Sequence, residues 1–184
     1  MTYLATTAIG GLMHEHQLIL RVVNDMRREL ERIESDGSVD GAYITSAVDF
    51  IRTYADRCHH GKEEDILFRD LETKPLSVQD RAAMNQLVED HKWARLRTGE
   101  LVEAADRCSR GHSGSVAKVT RTLELLVEFY PRHIEQEDHD FFIAAKRYFT
   151  PEELERMAAE CADFERSLIH EKYLKVAEDL ESRH

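Results

Sequence analysis

The sequence predicts an all-helical fold: an up-down-up-down antiparallel four-helix bundle over residues 1–149, with a helical arm, residues 150–184, packed on it. Three observations carry this. Among 184 residues glycine (8) and proline (3) are scarce, while Leu, Glu, Arg and Ala are plentiful. Apolar residues recur at spacings of three and four along four long stretches, the period of a helix with one buried face. The stretches are separated by short turn signals, and short connections make neighbouring helices antiparallel.

The first helix is expected from Thr7 to Ser35, with Ile9, Leu12, Ile19, Val23, Met26, Leu30 and Ile33 along its seam and His16 in one apolar slot. Ser35-Asp36-Gly37-Ser38 is a turn, with Gly37 free to take positive φ. The second runs from Gly41 to Leu71 with the seam Ile44, Val48, Ile51, Ala55, His59, Glu63, Ile66, and Lys74-Pro75 ends it. Ser77 caps the third, Val78 to Cys108, with the seam Met84, Leu87, His91, Ala94, Thr98, Leu101, Ala105. After the turn Arg110 to Gly114, the fourth runs from Ser115 to Phe149 with the seam Val116, Val119, Leu123, Leu126, Tyr130, His133, Glu137, Phe141, Ala144. Pro131 lies inside it, where a proline usually kinks the axis and would help aim His133. Thr150-Pro151-Glu152-Glu153 is a capping signal that opens the arm, with a break expected near Leu168 to His170.

The formal net charge of −11 argues against nucleic acid and against docking on anionic lipid. No apolar run approaches a membrane span, and Met1 to Leu12 has no basic n-region or cleavage pattern, so the expected location is the cytoplasm. Cys58, Cys108 and Cys161 are far apart and odd in number, which fits a reduced compartment and no disulfide frame.

The polar seam residues carry the chemistry. His59 and Glu63 lie one helical turn apart on one face, and so do His133 and Glu137. Each Glu is followed five residues later by Phe, Phe68 or Phe142. His16 precedes the turn at Gly37 by 21 residues and His59 follows it by 22; His91 and His133 flank His112 by 21 each; His59 and His91 flank Pro75 by 16 each. At ~1.5 Å per residue, the four histidines sit at nearly one height in an antiparallel bundle. The halves repeat: Glu15-His16 corresponds to Asp90-His91, and His59/Glu63 to His133/Glu137, at an offset of 74 or 75. Burying six such groups is costly without a cation, and a helical bundle with inward His and carboxylate ligands is a common way to hold two iron ions. Imidazole and carboxylate suit iron or manganese, and no thiolate is placed for zinc or copper(I).

With these motifs the chain resembles the hemerythrin-like family, the HHE cation-binding domain, over roughly residues 8 to 149. The matching features are Glu15-His16, His59-His60-x-x-Glu63-Glu64, Asp90-His91 and His133-Ile134-x-x-Glu137. The resemblance implies two non-haem iron ions: His16 and His59 on one, His91 and His133 on the other, Glu63 and Glu137 bridging, with an oxo, hydroxo or water bridge. Oxygen-carrying members have two histidines four apart on the third helix; here Leu87 and Arg95 flank His91 at that spacing. One imidazole is therefore expected to be missing. The four-His, two-Glu set looks more like bacterial members linked to nitric-oxide stress and iron–sulfur cluster repair. The implied function is binding of O₂, NO or a related small ligand. The alternative is an enzyme acting on peroxide, NO or O₂, or an iron donor for cluster repair.

The remaining histidines have blander readings. His60/Glu64 is the alternative register to His59/Glu63. His14, His60, His112 and His139 are expected to be solvated or peripheral, with His139 and His170 the candidates for an extra ligand. Tyr130 is expected to be a core aromatic and Cys58 a small core residue; Glu15 and Asp90, which precede ligand histidines and point off the seam, either guide protons or iron or belong to solvated helix faces.

Overall fold

The computed structural model describes residues 7–165 and 169–182. All the regular elements among them are helical, as the sequence predicts. Helix α1, Ala8–Asp36, opens where the Thr7 hydroxyl accepts from the Gly10 amide, and ends at Gly37, whose φ of 68° lets its amide reach the Ile33 carbonyl. Helix α2, Gly41–Phe50, is capped by Asp40. Beyond Phe50 the chain departs from the expected regular helix. It winds as a π-helix over Ile51–His60 and again over Glu63–Phe68, then ends as α3, Arg69–Glu72. Helix α4, Val78–Ser109, starts at the Ser77 cap.

Helix α5, Ser115–Gln136, runs through Pro131. The departure from α geometry falls after His133 instead, in a π segment at Glu137–Phe141, followed by α6, Phe142–Ala145, and a 3₁₀ turn, Lys146–Tyr148. Helix α7, Pro151–Phe164, opens with the expected capping box between Thr150 and Glu153. Helix α8 is Ile169–Glu181. The break expected near Leu168 falls partly on residues 166–168, outside the described set.

Cross-helix contacts show how the long elements run. His16 meets Asp138 while Arg27 reaches the Val127 carbonyl; Asp56 and Glu64 meet Arg95 and His91; Asp90 and Glu100 meet His133 and Lys118. In each pair numbers rise on one helix as they fall on the other, so these neighbours are antiparallel.

Two apolar clusters fill the interior. One includes Ile19, Ala55, Leu101 and Tyr130; the other includes Leu12, Ile66, Leu87 and Phe141. On every long helix the polar seam residues lie between the two. Burial of this much aliphatic and aromatic surface, at ~25 cal/mol per Å², is what holds a costly polar layer in place. Leu154, Met157 and Cys161 of α7 join one cluster, and Tyr173, Ala177 and Leu180 of α8 join the other. No helix among the described residues is long and apolar enough to cross a membrane.

Candidate metal centre

The six predicted residues come together and are buried: His16, His59, Glu63, His91, His133 and Glu137 are each at most 3 % exposed. His16, His59, Glu63 and Glu137 offer ligand atoms within 4.8 Å of one another, and His60, His91 and His133 form a second such group. The two glutamates join the groups. Glu63 presents Oε1 to His59 Nε2 and Oε2 to His91 Nε2, each at 3.4 Å. Glu137 presents Oε2 to His16 Nε2 at 3.2 Å and Oε1 to His133 Nε2 at 3.2 Å and His91 Nε2 at 3.6 Å. Donors held at right angles around one cation at ~2.0–2.2 Å lie about 3 Å apart, so these spacings suit two cations, each seeing one oxygen of each carboxylate.

The outer ring nitrogens face carboxylates. Nδ1 of His16 meets Asp138 at 2.8 Å, of His59 meets Glu15 at 2.8 Å, and of His91 meets Glu64 at 2.7 Å. His60 Nδ1 faces Asp56 at 3.4 Å and His133 Nδ1 faces Asp90 at 3.7 Å. A carboxylate on Nδ1 draws the ring proton to that side and turns the Nε2 lone pair inward, as in metal-ligating histidines generally. The repeat organises this shell. Glu15 and Asp90, each preceding a lone histidine, support the His of the His/Glu pair in their own half. Glu64 and Asp138, each following a seam glutamate, support the lone His of the other half.

His60 is not peripheral: it is 1 % exposed and stacks on His91 with ring centroids 3.9 Å apart. The choice between His59 and His60 dissolves, because both face inward. With i→i+5 bonding over Ile51–His60 the turn widens, and successive side chains diverge by less than the ~100° of an α-helix. The imidazole expected to be missing beside His91 is thus matched by one from the preceding helix, and five meet at the centre. Nor is Glu15 on a solvated face; it is 4 % exposed. Its other oxygen binds the ammonium of Lys62, itself buried. Asp90 is partly exposed, as is Asp138. His14, His112 and His139 are exposed, and the side chain of His170 lies outside the described residues. Cys58 and Tyr130 are buried as expected.

The electrostatics call for positive charge. Burial, and then the neighbouring Glu137, push Glu63 well above the carboxylate range. Burial also opposes the charge on Glu137, but His133 and His16 hold it well below that range. Burial works against a charge on His16, yet Asp138 and Glu137 outweigh it and raise its pKa to about 9. Burial, and then charge on His16, push His59 well down; burial and His91 do the same to His60. The Nε2 atoms of His16 and His59 are 2.8 Å apart. Two lone pairs cannot face each other at that distance, so a proton or a cation must lie between them.

The donor set passes a direct test of fit. All four carboxylate oxygens of Glu63 and Glu137 are buried without a hydrogen-bond partner, as is Nε2 of His91 and of His133. Orphans of this kind are rare in native interiors and cost 1–3 kcal/mol or more each. Concentrated on the two carboxylates that join the groups, they fit a site that could hold metal. No sulfur joins the set: burial pushes the Cys58 thiol up to about 11. Against known proteins, the family model described as Hemerythrin HHE cation binding domain matches residues 7–145. No curated protein and no solved structure matches the chain.

Proposed function

Because this chain belongs to the hemerythrin HHE cation-binding family, we propose that it is a non-haem di-iron protein that binds O₂, NO or a related small ligand. The observation that carries the reading is the pair of buried carboxylates, free of hydrogen bonds, that each reach both histidine groups. His16 and His59 would hold one iron, and His91 and His133, with His60, the other, with Glu63 and Glu137 shared between them. When bound, the iron pair supplies reversible redox change and open coordination for a small ligand.

The chain's own residues set the asymmetry. Three imidazoles and two carboxylate oxygens crowd the His60 side, while two imidazoles and two oxygens leave the His16/His59 side more open. Small-ligand binding belongs on that side. Phe142, stacked on His16 with centroids 5.8 Å apart, and the apolar cluster behind it exclude water there. The same proposal includes the up-down-up-down bundle over residues 1–149, the arm over 150–184, and a cytoplasmic setting, supported by three cysteines that are far apart in the sequence and odd in number. Its partners are small molecules, with neither nucleic acid nor membrane among them.

Metal content per chain, with the visible spectrum before and after air, tests this. Near two irons, with charge-transfer bands that appear in air and shift with azide, is the expected result. Zinc alone, or substoichiometric metal after anaerobic iron reconstitution, would overturn it. Catalytic consumption of peroxide or NO, lost in His59→Ala, would replace the binding reading with an enzymatic one.

A further inference from the structure

At an offset of 74, two residues of the site break the repeat: His60 stands against Ile134, and Lys62 against Gln136. Lys62 is 1 % exposed. Its ammonium lies between Glu15 and Glu165, the residue that ends α7. Glu15 spends one oxygen on Lys62 and the other on His59 Nδ1 at 2.8 Å. An unbroken polar chain therefore runs from α7 through Glu165, Lys62 and Glu15 to the His16/His59 group.

Other ties hold α7 to this side. Arg69 meets Glu160 at 2.7 Å, Arg156 meets Asp70 at 2.6 Å, and Lys74 meets Glu153 at 2.5 Å. These pairs are partly exposed, and such pairs contribute little individually. Lys62 is different. A buried ammonium is costly unless its partners stay in place, and one partner belongs to α7 while the other belongs to the metal centre. Phe164 also lies over Gly61, so close that a Cβ there would be 3.0 Å from the ring. Among the described residues the opposite half has nothing equivalent: Nδ1 of His133 faces Asp90 at 3.7 Å, with Gln136 where Lys62 would be.

We propose that Lys62 and Glu165 are positioning residues for the His16/His59 metal position, so that docking of α7 and loading of that one position reinforce each other. Glu165 fixes the ammonium, the ammonium fixes Glu15, and Glu15 fixes the plane and tautomer of His59. The proposal rests on the two-metal reading. Coupling of this kind is reciprocal: the factor by which docking tightens metal binding is the factor by which metal tightens docking.

The test uses the full chain and its Lys62→Met and Glu165→Gln variants. Ferrous iron is titrated anaerobically against a competing chelator, and amide hydrogen exchange is followed across Pro151–Phe164 with and without metal. Both variants should lose about 10–100-fold in affinity at one iron equivalent, the size of effect usual for partners of metal-bound histidines, and keep the other. In wild type, metal should slow exchange in α7; in the variants it should not. A general loss of packing would weaken both equivalents together, and that result overturns the proposal. So does unchanged affinity, or α7 exchange that ignores metal in wild type. Glu165→Gln keeps the shape of a partly exposed side chain and carries the test alone if Lys62→Met does not fold. Two equivalents in wild type with unaltered variants reject this coupling only; fewer than two reject the two-metal reading as well.

Discussion

Replacing one bridging carboxylate should stabilise the metal-free protein, and replacing the other should destabilise it. Glu63 is fully buried, with its oxygens 3.4 Å from His59 and His91 and no hydrogen bond to either. Burial and Glu137 push its pKa well up, so without metal the fold must either protonate it or hold an uncompensated charge. Glu63→Gln keeps the shape and removes that cost. Exchanging a buried ionic group for a neutral one of similar volume stabilises by about 1–4 kcal/mol. For a chain of this size that is roughly 2–16 °C in Tm. Glu137 lies 3.2 Å from both His16 and His133, which hold its charge in place. Glu137→Gln breaks those pairs and should cost about 3–5 kcal/mol without metal. Both variants should weaken iron binding, since each removes an anionic bridge. Denaturant unfolding in chelator, then with iron, reads both signs. If Glu63→Gln destabilises the chelated protein as much as Glu137→Gln does, Glu63 is already satisfied without metal and the argument from orphaned oxygens fails.

Three further outcomes follow from the same geometry. His60→Leu should leave the metal-free fold within about 1.5 kcal/mol, the usual tolerance for a volume-conserving change, and weaken one iron equivalent; equal weakening of both would deny His60 a place on one side. Metal-free stability should fall as pH rises. His16 has its pKa raised from 6.5 to about 9, so its contribution is full below pH 6.5 and lost as pH passes through 9. That contribution is roughly 3 kcal/mol. His91 is shifted in the same direction, with Glu137 and Glu64 overcoming burial. In the loaded protein His16 binds as the neutral ring, so this alkaline loss should vanish; a metal-free stability that is flat or rising between pH 6.5 and 9 would contradict the assignment. Gly61→Ala gains up to about 1 kcal/mol of helix propensity but forces the Phe164 ring to move. Overall stability should change by less than about 1 kcal/mol while amide exchange in α7 accelerates, and unchanged exchange would show that Phe164 does not help hold the helix.

How far the site could be read from the sequence depended on the helical period. Counting from the turns at Gly37, Pro75 and His112 assumes straight α-helices, and it brought four histidines to one layer between two apolar clusters. The seam of the second helix also held: Ile44, Val48, Ile51, Ala55, His59, Glu63 and Ile66 are all buried. A second buried stripe on that helix, Tyr43, Ala47, Phe50, Tyr54, Cys58 and Lys62, went unread except at Cys58. It is buried because α8 covers part of it, with Tyr173 against Phe50 and Tyr54, and α7 reaches Lys62. The signal was present, since five apolar positions at helical spacing call for a further neighbour. His60 left no such trace. Its counterpart in the repeat is Ile134, and π winding has no signature in an apolar pattern read at 3.6 residues per turn. Glu64 and Asp138 were within reach, since the repeat extends one residue past each seam glutamate.

The repeat and its two breaks argue about function together. Both halves contribute to one symmetric frame, with two imidazoles on each side, two shared carboxylates and one carboxylate behind each ring. His60 and Lys62 stand outside that symmetry, and each acts on one side only. His60 adds a third imidazole opposite the more open position, drawing coordination away from one side and leaving the other to take a ligand. Lys62 acts on the histidine pair that stays open: it holds the carboxylate that orients His59. Both breaks fall within four residues of His59, in or beside the π stretches. Removing the third imidazole should then undo the asymmetry. His60→Ile would leave two imidazoles on each side, and the azide spectrum and its rate of appearance should change. If both are the same in the variant as in wild type, the imidazole count does not decide where a ligand binds.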